Sequence, residues 1–310
     1  MIKVLLCEID SRGGRGAIVP ISRIGDLRQD VEKLKNGDYH TGYTDWMIGS
    51  IEQFIPAGLD FEPRSLIAIA APSPKITLSF TYRGKEVDCL LPPVYADYNV
   101  KERETSQYIN DFLKPYGFRA FDLMEATDDC FPQKLLAVHC GLGKYGRNNI
   151  CYHEEFGSYI RLLAYASDLP CDEAEWFPVR RMESCKVCHA CVEACPTNSI
   201  DLNHLIINAD TCLTAINEYG GAFPDRLDKS VHSCLVGCMK CQDCCPKNKQ
   251  NNSVKGISFT EEETMELLEH REDETYTDAL AAKIQAAGIM RYAEILPRNL
   301  AVLLYNLDEK

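Results

Sequence analysis

Membrane-spanning and secretory features are absent from the sequence. No stretch of the 310 residues approaches the run of about 20 apolar residues that a membrane-spanning helix needs. The first nine residues also lack a basic segment followed by an apolar run and a cleavage site of small residues, the pattern of a signal peptide. We therefore expect a cytoplasmic protein, in which residues 3–9 form the first β-strand.

Positive charge is scarce. The chain has 33 lysines and arginines against 46 aspartates and glutamates, for a net charge of −13. This balance argues against broad, non-specific binding of nucleic acid, because contacts to phosphates need cationic side chains. The acidic excess is greatest over residues 256–310, which hold twelve acids and five bases. This segment is either a solvated helical face or a docking surface for a basic electron donor.

Strand and helix patterns alternate over the first 178 residues. Apolar runs predict strands at residues 66–71, 76–82, 86–91, 118–122 and 159–166, and the second and third of these form a hairpin. Helical periodicity predicts helices beginning near Asp26 and covering residues 101–116 and 132–140. A mixed α/β domain over residues 1–178 follows, with a strand order that the pattern does not specify.

Ten of the sixteen cysteines lie between residues 185 and 245. In a cytosolic chain of this size, metal binding explains such density better than disulfides. The first motif is Cys185-Lys-Val-Cys188-His-Ala-Cys191-Val-Glu-Ala-Cys195-Pro196. This C-x2-C-x2-C-x3-C-P run is that of bacterial ferredoxins, in which three thiolates hold one [4Fe–4S] cluster and the fourth ligates another.

A second motif, Cys238-Met-Lys-Cys241-Gln-Asp-Cys244-Cys245-Pro246, repeats the C-x2-C-x3-C-P spacing. By ferredoxin logic, one cluster takes Cys185, Cys188, Cys191 and Cys245, and the other takes Cys195, Cys238 and Cys241. The eighth ligand is Cys212, Cys234 or Cys244. Zinc is the alternative for C-x2-C pairs, but three regularly spaced cysteines before x3-C-P fit a zinc site poorly. The earlier cysteines are expected to be small buried or partly buried residues: Cys7, Cys89, Cys130, Cys140, Cys151 and Cys171.

These patterns predict three parts. They are the α/β domain over residues 1–178, a ferredoxin-like double [4Fe–4S] domain over residues 179–255, and a short acidic helical tail over residues 256–310, with a capping box at Thr260–Glu263. Two clusters alone make an electron carrier. The α/β domain before them therefore suggests a second cofactor or a substrate pocket.

Four stretches together resemble the epoxyqueuosine reductases and related cobalamin-dependent iron–sulfur reductases. They are the glycine-rich residues 141–147, Gly157-Ser158 with Ser167-Asp168-Leu169-Pro170, the lone-cysteine segment 210–218, and residues 238–248. The match covers about residues 60–250. The resemblance implies that Cys212 completes the second cluster, with Cys234 as its competitor.

The same resemblance implies a base-off cobalamin that the nearer cluster reduces. The expected cobalamin contacts are Gly141, Gly143, Lys144, Gly146, Arg147 and Ser158. Glycine lets a backbone approach a cofactor closely, although a tight turn after the preceding helix is the alternative explanation of this loop. The family's proton-donating aspartate falls near Thr127, which makes Asp128 the candidate catalytic acid. Asp128 and Asp129 could equally be helix-capping acids.

Departures from the family pattern affect the expected partners. Lys144 and Arg147 replace a tryptophan and a lysine in the glycine-rich loop, and the tail is shorter and acidic, which puts a tRNA partner in doubt. The expected function is a reductase that takes electrons from a donor such as ferredoxin or flavodoxin and delivers them to a small molecule or modified nucleoside. An electron-transfer protein without corrinoid and a non-catalytic corrinoid-handling protein are the alternatives.

Three tyrosines and three histidines have no role that the sequence assigns. Tyr95, Tyr98 and Tyr152 could face a substrate, but aromatic side chains in an α/β domain more often belong to the core. His139, His153 and His189 are possible acids or ligands, and nothing in the sequence assigns them a function.

Overall fold

The computed structural model describes residues 1–37, 41–51, 54–95, 98–126, 131–225, 227–248, 253–271 and 274–308. The helices are α1 (Ile2–Ser11), α2 (Ile24–Lys35), α3 (Gly42–Gly49), α4 (Tyr98–Leu113), α5 (Leu123–Ala126), α6 (Gln133–His139), α7 (Ala190–Glu193), α8 (Leu213–Glu218), α9 (Lys240–Asp243), α10 (Glu261–Glu269), α11 (Asp278–Ala286) and α12 (Leu296–Asp308). The strands are β1 (Arg15–Pro20), β2 (Ser65–Pro72), β3 (Lys75–Tyr82), β4 (Lys85–Leu91), β5 (Ala120–Asp122), β6 (Lys144–Tyr145), β7 (Cys151–Tyr152), β8 (Ile160–Ser167) and β9 (Ser253–Phe259). Short 3-10 helices cover Ile21–Arg23, Lys114–Tyr116, Glu183–Lys186, Ala209–Thr211, Lys229–Val231 and Met290–Ile295. The mixed α/β class is thereby confirmed.

The chain folds into two compact units. The N-terminal unit comprises Met1–Pro72, Lys101–His189 and Asp201–Asn208, and the C-terminal unit comprises Ser73–Val100, Ala190–Ile200 and Ala209–Lys310. These units divide the chain differently from the predicted boundaries at residues 178 and 255. The reason is a long-range pairing, because β9 runs parallel to β3 and so joins the β3–β4 hairpin to the end of the chain.

A four-stranded antiparallel sheet organises the N-terminal unit, in the order β1-β2-β8-β5. Strand β2 alternates its side chains between two apolar layers. Leu66 and Ala68 face the layer that α2, α3 and α6 cover, whereas Ile67 and Ile69 face the layer that α1 and α4 cover. Because both faces of β2 are buried, the strand reads as a continuous apolar run, as the sequence predicted.

The prediction of a strand at residues 3–9 is wrong, since α1 occupies this segment. Leu5 and Ile9 are both fully buried and lie four residues apart, which puts them on one face of a helix. The apolar run was too short to separate this periodicity from that of a strand. The first strand is instead β1, which follows Gly13 and Gly14.

The C-terminal unit is built on the three-stranded sheet β4-β3-β9. The predicted hairpin is confirmed, and Arg83 and Gly84 at its turn both have positive φ, as a tight two-residue turn requires. Phe80 of β3 stacks on Phe259 of β9 with ring centroids 4.6 Å apart. Helices α10, α11 and α12 pack on this core, and the capping box at Thr260 is present. Within the described residues, no helix has both the length and the apolar character needed to cross a bilayer.

Candidate iron–sulfur centre

The two C-x2-C-x3-C-P stretches fold in the same way. A one-turn helix contains the cysteine that precedes each x3 segment, α7 around Cys191 and α9 around Cys241, and the two helices pack against each other. The amide of Cys195 bonds the carbonyl of Val192, and the amide of Cys245 bonds the carbonyl of Gln242. The repeated spacing therefore produces a repeated local structure, as a two-cluster ferredoxin arrangement requires.

Three cysteines from separate segments come together in the C-terminal unit. Burial raises the pKa of Cys212, and the neighbouring Cys195 raises it further. Burial likewise raises the pKa of Cys238 to about 11, with additional contributions from Cys212 and Cys195. The three sulfurs are therefore close enough to influence each other electrostatically, as the ligands of one cluster would be.

The donor set fits an iron–sulfur cluster. The amide of Ser199 donates to Cys195 Sγ at 3.3 Å, a bond that would stabilise a thiolate. No three His, Cys, Asp or Glu side chains among the described residues could hold a single metal ion. In a [4Fe–4S] cluster each iron takes its own cysteine, so the ligands need not converge on one point. None of the fifteen described cysteines takes part in a disulfide bond.

The geometry bears on the choice of the eighth ligand. Cys212 interacts with both Cys195 and Cys238. Cys234 is 1% exposed, and burial raises its pKa to about 12, with Cys238 as the neighbouring cysteine that adds to the shift. The thiol of Cys244 donates to the carbonyl of Cys241 at 3.6 Å. These contacts favour Cys212, whose role as a ligand stays a prediction.

The other predicted set divides between the units. Cys185 and Cys188 belong to the N-terminal unit, and Cys191 and Cys245 belong to the C-terminal unit. All four are partly buried. Their assignment to one cluster remains a prediction from the spacing.

Side chains of the protein itself fill the space around the three glycines of the predicted cofactor loop. Gly141 has φ +77°, and a Cβ there would lie 2.7 Å from the ring of Phe177. A Cβ on Gly143 would lie 2.5 Å from Cys151 Sγ, and one on Gly146 would lie 2.6 Å from the ring of Tyr152. These contacts explain the glycines as parts of a tight, closely packed turn. The packing of the protein thus gives a reason for each of these glycines, and their contact with a corrinoid stays a prediction.

The remaining predicted cofactor residues have different environments. Lys144 is exposed and lines a cleft of about 250 Å³ together with Glu175 and Arg180. Ser158 is buried, with 4% of its surface exposed. Arg147 is 6% exposed and donates to three backbone carbonyls, those of Cys185, Cys188 and Leu202. The glycine-rich loop is thus bonded directly to the first cysteine motif.

The histidines whose hydrogen bonds are described have structural partners. His139 bonds Asp30 at 2.7 Å and the carbonyl of Phe177 at 2.6 Å, and it stacks on Trp176. His153 Nδ1 accepts the amide of Glu155, which closes a turn. His189 is exposed.

The predicted catalytic acid lies outside the described residues, as do its neighbours: Thr127, Asp128 and Asp129. Of the tyrosines, Tyr152 is buried and bonded by Asn148, and the side chain of Tyr98 is not described. The remaining cysteines mostly match expectation, since Cys89, Cys151 and Cys171 are buried and Cys140 is partly buried. Cys7 is exposed because the helix α1 turns it away from the buried face, and Cys130 is not described.

A buried polar network that has no signal in the sequence lies beside the loop that leads into the second cysteine motif. Asn299 Nδ2 donates to the carbonyls of Asn217 and Leu235, both at 2.8 Å. Asn217 in turn donates to the carbonyl of Gly237, one residue before Cys238. The network therefore ties α8, which follows Cys212, to the loop that leads into the second motif.

A buried acid and phenol flank the same loop. Tyr95 donates to the carboxylate of Glu218 at the end of α8, and its ring fills the space beside Gly237, where a Cβ would lie 2.5 Å away. Burial raises the pKa of Glu218 above its ordinary value. Glu218 ends the lone-cysteine segment 210–218, whereas nothing in the sequence links Tyr95 to this segment.

Comparison with known proteins agrees with this site. A family model described as a 4Fe-4S double cluster binding domain matches residues 184–248. An epoxyqueuosine reductase from Pseudomonas aeruginosa is 30% identical over 223 residues, which cover 68% of this chain and 58% of that protein. The chain spans between 32% and 58% of the length of the curated relatives it matches.

Solved structures show the same fold. The epoxyqueuosine reductase from Streptococcus thermophilus aligns with a TM-score of 0.67 at 20% identity, covering 99% of this chain and 81% of that one. An epoxyqueuosine reductase bound to an epoxyqueuosine-modified tRNA stem loop aligns with a TM-score of 0.67 at 21% identity, covering 98% and 80%. Together with the duplicated cysteine motif, these similarities show that the chain belongs to the epoxyqueuosine reductase-like family.

Proposed function

We propose that this protein is a reductase that passes electrons one at a time through two [4Fe–4S] clusters to an organic substrate. The observation that carries the proposal is the duplicated cysteine turn, with Cys195, Cys212 and Cys238 brought together from three segments. Family membership supports the same activity. The ligand sets are Cys185, Cys188, Cys191 and Cys245 for one cluster and Cys195, Cys212, Cys238 and Cys241 for the other.

Cobalamin is the proposed electron acceptor of the clusters. Its support is the resemblance of residues 141–147 and 157–170 to the family's segments. When bound, cobalamin would supply a strongly reducing, nucleophilic metal centre. The loop glycines do not argue for it, because Phe177, Cys151 and Tyr152 already account for them. An electron-transfer protein without corrinoid is therefore the second candidate.

The proposed substrate is a modified nucleoside, with epoxyqueuosine as the first compound to offer. The support is the relative that binds an epoxyqueuosine-modified tRNA stem loop. Offering both forms decides whether the nucleoside is free or carried on tRNA, because the acidic excess of residues 256–310 does not favour contacts to phosphates. Asp128 is the proposed proton donor.

The proposed donor is a one-electron carrier protein such as ferredoxin or flavodoxin. Three cations lie near Glu183, two residues before Cys185. Lys186, through a hydrogen bond and its charge, and Arg180 and Lys144, through their charges, all lower the pKa of that carboxyl. Such a surface suits an acidic donor. Two acids of residues 256–310, by contrast, bind partners within the same segment. Glu263 forms an ion pair with Lys283, and Glu266 accepts hydrogen bonds from Thr277.

The test is anaerobic reconstitution with iron and sulfide, followed by titration with cob(II)alamin and electron paramagnetic resonance spectroscopy. A base-off cob(II)alamin signal, and turnover of epoxyqueuosine as the nucleoside or on a tRNA stem loop, would support the cobalamin-dependent reductase. Loaded clusters with no bound corrinoid would instead leave the electron-transfer protein. Asp128→Asn is expected to abolish turnover without changing the iron content.

A further inference from the structure

Arg147 has an environment that neither the resemblance nor the proposed function explains. It lies at the end of the glycine-rich loop and is 6% exposed. Its Nη1 donates to the carbonyl of Leu202 at 2.9 Å, its Nε donates to that of Cys188 at 3.3 Å, and its Nη2 donates to that of Cys185. One guanidinium thus binds the backbone of two cysteines of the first motif.

The shape of the side chain suits this task. A guanidinium has five N–H donors in a rigid plane and keeps its charge at all relevant pH values. Two of its donors fix the backbone carbonyls of Cys185 and Cys188, and a third fixes the carbonyl of Leu202. Lysine, with one rotatable ammonium group, could not hold all three in the same geometry.

The charge itself needs an explanation. Burying a cation is costly unless a negative group offsets the loss of water. The described partners of Arg147 are neutral carbonyls, and no described carboxylate forms an ion pair with it. A [4Fe–4S] cluster held by four thiolates carries net negative charge, and it would lie next to the backbone that Arg147 binds.

We propose that Arg147 is a positioning residue for the cluster that Cys185 and Cys188 ligate, holding their backbone for cluster assembly and favouring the reduced cluster through its charge. The proposal rests on the two-cluster function above. One-electron reduction adds a negative charge to the cluster, so a nearby buried cation stabilises the reduced state and raises the reduction potential.

The test compares Arg147→Met and Arg147→Lys with the wild type after anaerobic reconstitution. Iron per chain and the two midpoint potentials, measured in a dithionite titration followed by electron paramagnetic resonance, are the readouts. For Arg147→Met we expect iron to fall from about eight towards four per chain, or one midpoint to shift to more negative potential in chains that load fully. Arg147→Lys should keep the midpoint of the wild type but retain less iron.

Lys186→Met is the matched control, because it removes a positive charge next to Cys185 that is 74% exposed and paired with Glu183. Its iron content and potentials should equal those of the wild type. Full loading and unchanged midpoints in Arg147→Met would overturn the proposal, as would an equal shift in Lys186→Met. If Arg147→Met does not fold, wild-type iron retention in Arg147→Lys overturns the positioning role. A wild-type protein with four irons or fewer would instead refute the two-cluster function.

Discussion

Asn299 should be one of the most sensitive uncharged residues of the C-terminal unit. It lies in α12 and is 1% exposed. Its amide bonds the carbonyls of Asn217 and Leu235, and its Oδ1 accepts from the guanidinium of Arg298. Asn299→Ala removes the donor to both carbonyls, because a methyl group cannot donate a hydrogen bond.

The expected cost follows from the groups left without a donor. A buried carbonyl that loses its partner costs about 1–3 kcal/mol, so two of them cost about 2–6 kcal/mol together. Because these carbonyls belong to α8 and to the loop before Cys238, the loss should also loosen the second cluster. Both consequences are measurable in the same sample.

The assay is urea unfolding of the reconstituted protein, followed by circular dichroism and by the absorption of the clusters. Asn299→Ala should lower the urea midpoint of both signals. Asn36→Ala is the control, because its exposed amide makes one bond to the carbonyl of Glu32 and should cost less than about 1 kcal/mol. Equal midpoints for Asn299→Ala and Asn36→Ala would refute the reasoning.

Three further predictions concern the ligands, the glycine loop and acid stability. Cys212→Ser should lose about four irons per chain, and Cys234→Ser should lose none. Iron analysis of the reconstituted variants measures both, and the reverse result would make Cys234 the ligand. Gly141→Ala should lower the unfolding free energy by about 1–3 kcal/mol from its backbone conformation alone. Gly58 also has positive φ but has open space around it, so Gly58→Ala should cost less. Equal losses of unfolding free energy in the two variants would contradict the packing of Phe177 against Gly141. Burial raises the pKa of Asp30, but hydrogen bonds from Lys33 and His139 outweigh it and hold that pKa below 3.8. The carboxylate therefore stabilises the fold above that pH and loses this contribution as the pH falls further. When the pH is lowered through this range, the unfolding free energy of Asp30→Asn should fall less than that of the wild type.

The cysteine motifs were predictable because their geometry is local. Two- and three-residue spacings determine how one turn of chain presents thiols, and the helical turns that contain Cys191 and Cys241 have the same length and position in their motifs. The strands β2 and β8 were equally clear, since burial on both faces requires a continuous apolar run. In each case the signal lies within about ten residues.

The errors have a common physical origin in long-range packing. Residues 3–9 form a helix because Leu5 and Ile9 meet a partner surface that the sequence does not reveal. The pairing of β9 with β3 joins segments more than 170 residues apart, and no local pattern in the sequence could reveal it. The hydrogen bonds from Arg147 to the first cysteine motif are likewise long-range and had no sequence signal, and its contact with a cofactor stays a prediction.

The central claim is that the chain holds two [4Fe–4S] clusters. Iron and sulfide analysis of the reconstituted protein, with electron paramagnetic resonance after reduction, tests it most directly. The claim predicts about eight irons and eight sulfides per chain, with signals of two interacting reduced clusters. Four irons or fewer, or bound zinc in place of sulfide-containing iron, would contradict it.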